Sequence, residues 1–250
     1  MNDVQRAGGS IRTATELLVR RYGALAPLTP EDEDVLRSLE GPIEDLRRGR
    51  EFSAEGNRLV SPRFLISGWA CRLRILGDGR RKIISFILPG DGIGICRRPD
   101  PLAMCNMIAL TDCRALLAGP DFGPGWDLSR HPALQDALHI AESLDEACLL
   151  DHVVRLGRQT ALERMGHLLL ELHWRLSLVG LAEDWRFPVP LTQELLADAT
   201  GLSIVHVNRT IQQLRRERLI EWRSHVVTIL EPQLLAEIAE YKPPRPSDWL

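Results

Sequence analysis

Residues 191–222 read LTQELLADATGLSIVHVNRTIQQLRRERLIEW, and this stretch decides the fold of the C-terminal part of the chain. Thr192 and Ser203 are each placed to cap a helix, because a side-chain hydroxyl there accepts a backbone N–H left free in the first turn. Gly201 lacks a Cβ and allows the positive φ that ends one helix and redirects the chain. The pattern therefore predicts two short helices joined by a tight turn, a helix-turn-helix.

The second helix of this pair has one apolar face. Val207, Ile211 and Leu214 recur at spacings of four and three, which predicts a buried stripe. Leu196 and Ala199 on the first helix are the partners that this stripe requires. We therefore expect the two helices to pack through these residues.

The opposite face of the second helix is polar and basic, and it carries His206, Asn208, Arg209, Gln212, Gln213, Arg215 and Arg216. Such a face suits the major groove of DNA, where an arginine can donate two hydrogen bonds to guanine. An ordinary solvated helix shows the same periodicity. The combined spacing of Thr192, Gly201, Ser203 and Arg209 favours the DNA-reading interpretation.

A β-hairpin is predicted directly after this helix. Residues 219–222 and 226–230 are rich in β-forming side chains and flank a polar turn at Ser224 and His225. Two short strands in this place indicate a winged helix, whose wing lies near the phosphate backbone.

The stretch LTQELLADATGLSIVHVNRTIQQLRRERLI resembles the DNA-binding module of the Crp/Fnr family of bacterial transcription regulators. Upstream, SGWACRLRILGDGRRKIISFILPGDGIG (residues 67–94) resembles the hairpin and glycine turn of that family's cyclic-nucleotide-binding β-roll. The resemblance covers about residues 28–230. It implies an α+β protein with an N-terminal antiparallel β-roll, a long dimerisation helix and a C-terminal winged helix-turn-helix.

We expect the chain to divide accordingly. Residues 42–119 contain short apolar or alternating runs separated by Gly, Pro, Asn and Asp, which indicates a small antiparallel β-domain. The expected segments are a loose N-terminal arm (1–27) with a helical stretch at 13–22, a β-roll sensor domain (28–130), a dimerisation helix (131–158), a winged helix-turn-helix domain (159–232) and a C-terminal tail (233–250) with a short helix.

A narrow apolar stripe runs along the expected dimerisation helix, formed by Leu134, Leu138, Ala141, Leu144 and Cys148. Such a stripe suits a helix that pairs with its twin, but also one that packs on its own β-domain, and periodicity does not separate the two. The family resemblance implies the first, so we expect a homodimer.

The next helix is predicted to open with a capping box, Thr160 and Glu163. His167 and Glu171 share a face with Glu163. This spacing is compatible with a metal site, but a solvated polar face is the favoured interpretation, and we expect no metal.

The resemblance places an effector pocket around Gly90 and Gly94. Ile95 stands where nucleotide-binding relatives carry a glutamate, and Ala103 and Met104 stand where they carry an Arg-Ser or Arg-Ala pair whose guanidinium holds the cyclic phosphate. Burying a phosphate without a charged partner is costly, so we expect no binding of ordinary cyclic AMP or GMP and no cofactor. Arg97 and Arg98 lie nearby in sequence and could hold a phosphate from a different angle, but an adjacent arginine pair in a loop is expected to be solvent-exposed.

The resemblance also implies which residues contact DNA. Relatives commonly have Glu at the position of Val205, where a carboxylate accepts from cytosine, so the preferred half-site is expected to differ here. The residues expected to contact DNA are Thr192, Gln193, Ser203, Val205, His206, Asn208, Arg209, Gln213, Arg215 and Arg216.

Composition excludes several other classes of protein. The net charge is −3, so affinity for nucleic acid has to come from a local basic patch. We expect no enzyme, because all seven histidines follow the β-region and no nucleophile elbow, phosphate loop or His-Glu-x-x-His motif is present. The sequence shows no stretch of the roughly 18 apolar residues that cross a bilayer and no signal peptide, so a cytoplasmic location is expected.

The five cysteines show no C-x-x-C pair, which speaks against a zinc knuckle, and none precedes Cys71, which speaks against the N-terminal iron–sulfur cluster of some relatives. Buried inert thiols are favoured over a redox response through Cys96 or Cys105. The expected partners are double-stranded DNA, a second copy of the chain and, for an activator, RNA polymerase, with no membrane and an unknown effector. The alternative is a ligand- or redox-sensing module that acts mainly through protein contacts.

Overall fold

The computed structural model describes residues 14–59, 62–95, 102–118 and 128–245. The described chain forms two compact units, one comprising residues up to 72 together with 86–143, the other comprising 73–85 together with 144–245. This division differs from the expected segments in two places. The segment 73–85 belongs to the second unit, and the long helix expected at 131–158 is divided between the units at residue 143.

The first unit contains two helices and most of an antiparallel β-domain. The helices are α1 (residues 14–23) and α2 (Pro30–Arg37). The strands are β1 (Ile43–Leu46), β2 (Glu51–Ser53), β3 (Arg63–Ser67), β4 (Ala70–Ile75), β5 (Arg81–Ile87), β6 (Gly92–Ile93), β7 (Asn106–Ala109) and β8 (Cys113–Leu117). They form two sheets, with strand orders β1-β8-β3-β6 and β2-β7-β4-β5. The predicted β-domain is confirmed, although the short strands β1, β2 and β6 were not predicted.

Both sheets contribute side chains to one hydrophobic core. Leu65 on β3 and Ala115 on β8 are fully buried, and they are register partners in the first sheet. Met107 and Ala109 on β7 bring the second sheet into the same cluster. Burial alternates along β7, whereas β3 and β8 each bury two consecutive residues and are therefore covered on both faces at that point.

Helix α1 packs against the β-domain through a second set of buried residues, so the expectation of a loose arm is wrong for residues 14–26. Ala14 and Leu18 are fully buried, and the ring of Tyr22 meets that of Phe64 edge-on at 6.2 Å between centroids. Arg21 adds a buried ion pair with Asp91 at 3.5 Å. The helix packs because its apolar residues recur at helical spacing.

The second unit is built around one helix. Its elements are the end of α3 (Pro132–Arg158), α4 (Ala161–Ser177), β9 (Arg186–Pro188), α5 (Gln193–Thr200), α6 (Ile204–Arg216), β10 (Ile220–Arg223), β11 (Val226–Ile229) and α7 (Pro232–Ile238). Helix α4 contacts α5, α6, α7 and β9. The strands form a sheet of order β10-β11-β9, so the predicted hairpin acquires a third strand that was not predicted.

Helix α4 begins with the predicted capping box, in which the Glu163 amide donates to the Thr160 hydroxyl and the Thr160 amide donates to the Glu163 carboxylate. The expectation of a solvated face for His167 and Glu171 is wrong, because both are about 5–6 % exposed. Glu171 forms a buried ion pair with Arg155 at 2.8 Å. A buried charge without such a partner would be strongly destabilising.

The tail also takes part in the second unit. Leu235 and Ala239 are fully buried, and a Cβ at Gly166 on α4 would lie 3.0 Å from Leu235 Cδ1. The side-chain amide of Gln159, a residue between α3 and α4, donates through Nε2 to the Ala239 carbonyl at 2.9 Å. The predicted short helix is therefore confirmed as α7, and residues 246–250 lie outside the described part.

None of the helices in residues 14–59, 62–95, 102–118 and 128–245 combines the length and the hydrophobicity that crossing a membrane requires.

Two glycines with the same φ test how tightly the β-domain is packed. Gly68 and Gly49 both have a φ of 83°, but a Cβ at Gly68 would meet the Asp112 carbonyl and lie 2.7 Å from Cys113 Sγ, whereas nothing lies within 4 Å at Gly49. Gly49→Ala should cost about 1–2 kcal/mol from the left-handed backbone alone. Gly68→Ala should cost about 1–3 kcal/mol more, because the neighbours must move. Urea unfolding of the full chain measures both, and equal losses would contradict the tight packing at Gly68.

Candidate DNA-binding site

Helices α5 and α6 form the predicted helix-turn-helix. The Thr192 hydroxyl accepts a hydrogen bond from the Leu195 amide at 3.2 Å, and the Ser203 hydroxyl accepts one from the His206 amide at 3.2 Å. Gly201 ends α5 in the left-handed conformation, with a φ of 69°. Both caps and the turn lie where the sequence predicts them.

The apolar stripe of α6 is buried as predicted. Val207 and Leu214 have no exposed surface, and Ile211 is 8 % exposed. Leu196 and Ala199 on α5 are also buried. Because these residues fix the rotation of α6 about its axis, the opposite face has to point to solvent.

That opposite face carries the residues expected to contact DNA. All of them lie at the N-terminal end of α5 or along α6, and all except the half-buried Gln213 are exposed. The Asn208 amide donates to the Gln193 side chain at 3.3 Å, which links the two helices across this face. Gln213 donates to Glu217 at 2.9 Å. The structure thus brings the predicted residues together on one open surface.

A basic cleft continues this surface toward the wing. Ser224 and His225, at φ values of 48° and 64°, form the tight turn between β10 and β11. A cleft of about 410 Å³ lies beside β10, and Arg215, Arg218 and Arg223 are among its lining residues. Arg223 is not indicated by the sequence pattern, because a lone arginine beside a turn carries no periodic signal.

The residues expected to form the dimer contact are mostly unavailable to a partner. Leu134, Leu138 and Leu144 are 0 %, 9 % and 2 % exposed within the single chain, and Ala141 and Cys148 are half-buried. The periodicity identified a buried face correctly, but this chain itself covers it. A different set of apolar residues on α3 is exposed: Leu149 at 39 %, Leu150 at 62 %, Val153 at 68 % and Val154 at 55 %.

The residues expected around the effector pocket lie in two turns. Gly90 and Gly94 have positive φ values of 92° and 72°, and the side chain of Ile95 lies against Gly92. Ala103 is buried, whereas the neighbouring Met104 is 77 % exposed. None of these side chains carries a charge, and Arg97 and Arg98 fall outside the described residues.

The cysteines of the described residues form no disulfide. Cys71, Cys105 and Cys113 are buried. Burial raises the pKa of the Cys148 thiol to about 12, so it stays protonated at neutral pH. Cys96 lies outside the described residues, and within them no cluster of His, Cys, Asp and Glu has the arrangement of a metal site.

Comparisons with known proteins agree with this geometry. Residues 163–238 match the Crp-like helix-turn-helix domain. The nitrogen fixation regulation protein FixK of Bradyrhizobium diazoefficiens is 30 % identical over 167 residues, which cover 66 % of this chain and 68 % of that protein. The transcriptional activatory protein AadR of Rhodopseudomonas palustris is 28 % identical over 230 residues, or 91 % of this chain and 93 % of that one.

Solved structures share the fold. FixK2 from Bradyrhizobium japonicum has a TM-score of 0.68 and 23 % identity, covering 82 % of this chain and all of that one. A CRP/FNR-family regulator from Thermus thermophilus has a TM-score of 0.59 and 21 % identity, covering 81 % of this chain and all of that one. The family model and the relatives are those of transcription regulators. This chain belongs to the Crp/Fnr family of transcriptional regulators.

The cap at Ser203 offers a test of the local geometry. Ser203→Ala should lower the free energy of unfolding by about 1 kcal/mol, because the His206 amide loses its acceptor. Ser203→Asp is the matched control, since a carboxylate accepts the same bond and is favourable at a helix N-terminus. The free energy of unfolding in urea should therefore be at least as high for Ser203→Asp as for the wild type, and lowest for Ser203→Ala. An alanine variant as stable as the wild type would contradict the cap.

Proposed function

We propose that this regulator binds a pseudo-palindromic DNA operator as a homodimer and does so without ordinary cyclic AMP or GMP. The observation that carries the proposal is the open basic face of α6, held outward by a buried apolar stripe and capped at Ser203. An exposed helix of this kind fits the major groove of DNA.

The local charge supports DNA as the partner. Arg209, Arg215, Arg216 and Arg218 are all exposed, and Glu217 is the only acid between residues 203 and 218. The chain as a whole has a net charge of −3, so the excess of positive charge in this segment is a local feature. Each phosphate that such residues neutralise makes the affinity fall more steeply as the salt concentration rises.

The residues divide between reading bases and holding the backbone. Arg209, with Asn208 and His206, lies on the part of α6 that enters the groove and reads base edges. Thr192, Gln193 and Ser203 lie at helix N-termini and hold phosphates through hydroxyl, amide and backbone N–H groups. Arg215 and Arg216, at the end of α6, contact the backbone on any sequence, and the half-buried Gln213 belongs to the same interface.

Val205 modifies the preferred sequence. Its side chain is 59 % exposed near the start of α6, beside Ile204 at 51 %. An aliphatic group there cannot accept a hydrogen bond from cytosine, but it packs against the methyl group of thymine. The half-site should therefore differ from that of relatives with Glu at this position.

The dimer contact lies on the exposed apolar part of α3. Leu150, Val153 and Val154 are each more than half exposed and recur at helical spacing, so they form one stripe. Leu149 lies at its edge. Joining two copies through this stripe removes an apolar surface from water and gives a two-fold symmetric pair of α6 helices. Such a pair reads two half-sites about 34 Å apart.

The proposed effector independence rests on the uncharged pocket residues. Ile95, Ala103 and Met104 offer no charge to a cyclic phosphate, and a buried phosphate needs one. Acting on DNA places the protein in the cytoplasm in this proposal. An activator would in addition contact RNA polymerase.

Arg209→Ala tests the reading of bases. On an operator selected from random DNA, the variant should lose about 1–3 kcal/mol of binding free energy and lose preference at one base pair of each half-site. Arg216→Ala is the matched control, since it should weaken operator and scrambled duplexes by the same factor. Fluorescence titration at fixed salt measures both. If Arg209→Ala also weakens both duplexes equally, Arg209 does not read a base.

Leu150→Glu tests the dimer contact. A charge in the centre of the stripe should dissociate the dimer, because burying an unpaired carboxylate is costly. Leu234→Glu is the control, since Leu234 is an exposed leucine (47 %) on α7 instead of α3. Sedimentation should show monomers for the first variant and dimers for the second. A Leu150→Glu variant that remains dimeric would place the contact elsewhere.

A further inference from the structure

The segment 73–85 comprises the ends of β4 and β5 and the turn between them, and it belongs to the same compact unit as the helix-turn-helix. We call this segment the strand hairpin. Two consecutive cationic residues of β5, Arg81 and Lys82, contact α5 directly. These residues lie more than 110 positions before α5 in sequence, so no local pattern indicates the contact.

Lys82 binds the C-terminal end of α5. Its Nζ donates a hydrogen bond to the Ala199 carbonyl at 2.7 Å. The next carbonyl, that of Thr200, accepts from Arg164 Nη1 on α4 at 3.2 Å. The last carbonyls of a helix have no partner within the helix and carry partial negative charge, so donors and cations are favourable there. Two cations from different elements thus close the end of α5.

Arg81 binds the side of the same helix. Its Nη2 donates to Glu194 Oε1 at 2.8 Å and lies 3.1 Å from Asp198 Oδ2. Glu194 and Asp198 are four residues apart, so one guanidinium spans a full turn of α5. Lys82 and Arg81 together hold α5 at its side and at its end, which resists both sliding and rotation of the helix.

The turn between α5 and α6 is surrounded by the same groups. A Cβ at Gly201 would lie 3.0 Å from Leu156 Cδ2, 3.7 Å from Arg164 Nη1 and 3.9 Å from Lys82 Nζ. The strand hairpin therefore approaches the helix-turn-helix at its turn. The basic face of α6 stays exposed in this arrangement.

We propose that Arg81 and Lys82 are positioning residues for DNA binding, which fix α5 and the Gly201 turn from the side away from DNA and so set the direction of α6. This inference rests on the proposed DNA-binding function. It assigns to the strand hairpin a role that needs no contact with DNA. The orientation of α6 matters because both recognition helices of a dimer have to meet successive grooves at once.

The surroundings of Lys82 are mixed in charge. Asp198 lies on α5, Arg155 and His152 on α3, and Arg164 on α4, with Arg81 and Glu194 close by. Burial lowers the pKa of Lys82 to about 8, and the charges of Arg155 and Arg164 act in the same direction. Burial thus outweighs the favourable charge at the end of α5, and by linkage the arrangement with Lys82 buried becomes more stable, relative to one with Lys82 in solvent, as pH rises above about 8. The neutral amine still donates to the Ala199 carbonyl.

The test uses the full chain with Arg81→Glu and Lys82→Met, and Arg80→Glu as the matched control. Arg80 is the adjacent residue, 76 % exposed, and pairs with Asp78 inside the strand hairpin at 2.7 Å. Its charge reversal changes the net charge as Arg81→Glu does but leaves α5 untouched. The contact lies within the protein, so losing it lowers operator affinity by no more than the free energy that held α5 in place, about 1 kcal/mol for one hydrogen bond, or up to about tenfold. We expect both positioning variants to bind the selected operator up to about tenfold more weakly and Arg80→Glu to bind within about twofold of wild type.

A second duplex separates positioning from loss of folding. A duplex of equal length with a single half-site needs only one α6, so the positioning variants should bind it nearly as well as wild type does. A fall of the same factor on both duplexes, or no fall on the operator, would overturn the proposal. Lys82→Gln keeps a donor for Ala199 and should restore most of the affinity that Lys82→Met loses.

Hydrogen exchange of the unliganded chain tests the contact without DNA. The amides of α5 and of residues 201–203 should exchange faster in Arg81→Glu and Lys82→Met, and unchanged rates would overturn the contact itself. If wild type selects no operator while these rates change as expected, the proposed function fails and the contact stands. From about pH 7.5 to about pH 9.5, the operator affinity of wild type should rise relative to that of Lys82→Gln. A ratio of the two affinities that stays constant with pH would show that titration of Lys82 does not affect DNA binding.

Discussion

The turn at Gly201 is the constraint on which the DNA-binding unit depends. Its φ of 69° suits a residue without a Cβ, and a Cβ there would lie 3.0 Å from Leu156. The turn directs α6 so that Val207 and Leu214 are buried and the arginines face solvent. If the chain left α5 in another direction, the same residues would still form an amphipathic helix, but its basic face would not be presented to DNA by the helix-turn-helix. The basic face therefore follows from backbone geometry as much as from charge.

The surroundings of that turn explain why the helices hold one orientation. Helix α4 supports α5, α6 and α7, and its Glu171 is paired in the interior with Arg155 from α3. The side chain of Arg164, on the same helix, donates a hydrogen bond to the Thr200 carbonyl. Buried polar pairs of this kind add little net stability, but breaking one leaves a charge without solvent or partner. An arrangement that keeps every such pair bonded is therefore favoured over one that breaks a pair.

Much of this could be predicted from the sequence, because local rules govern it. Thr192, Ser203 and Gly201 act within one helical turn of their own positions, and the stripe at Val207 follows from helical spacing. Periodicity identified the buried face at Leu134 and Leu144 but not what covers it, and the exposed stripe at Val153 was missed for the same reason. The contact of Lys82 with Ala199 joins residues 117 positions apart. Only the folded chain shows such a pairing, since nothing in either local sequence requires it.

We infer that two α6 helices of one dimer read two half-sites of DNA. Selection of bound sequences from a random DNA pool by the purified protein, at a fixed salt concentration, distinguishes this arrangement from its alternatives. We expect enrichment of an inverted repeat whose half-sites lie one helical turn, about 34 Å, apart. Enrichment of a single unrepeated site would contradict the dimer. The selection can be repeated with small molecules from a cell extract added to the protein. If neither selection enriches any sequence, the protein does not read DNA.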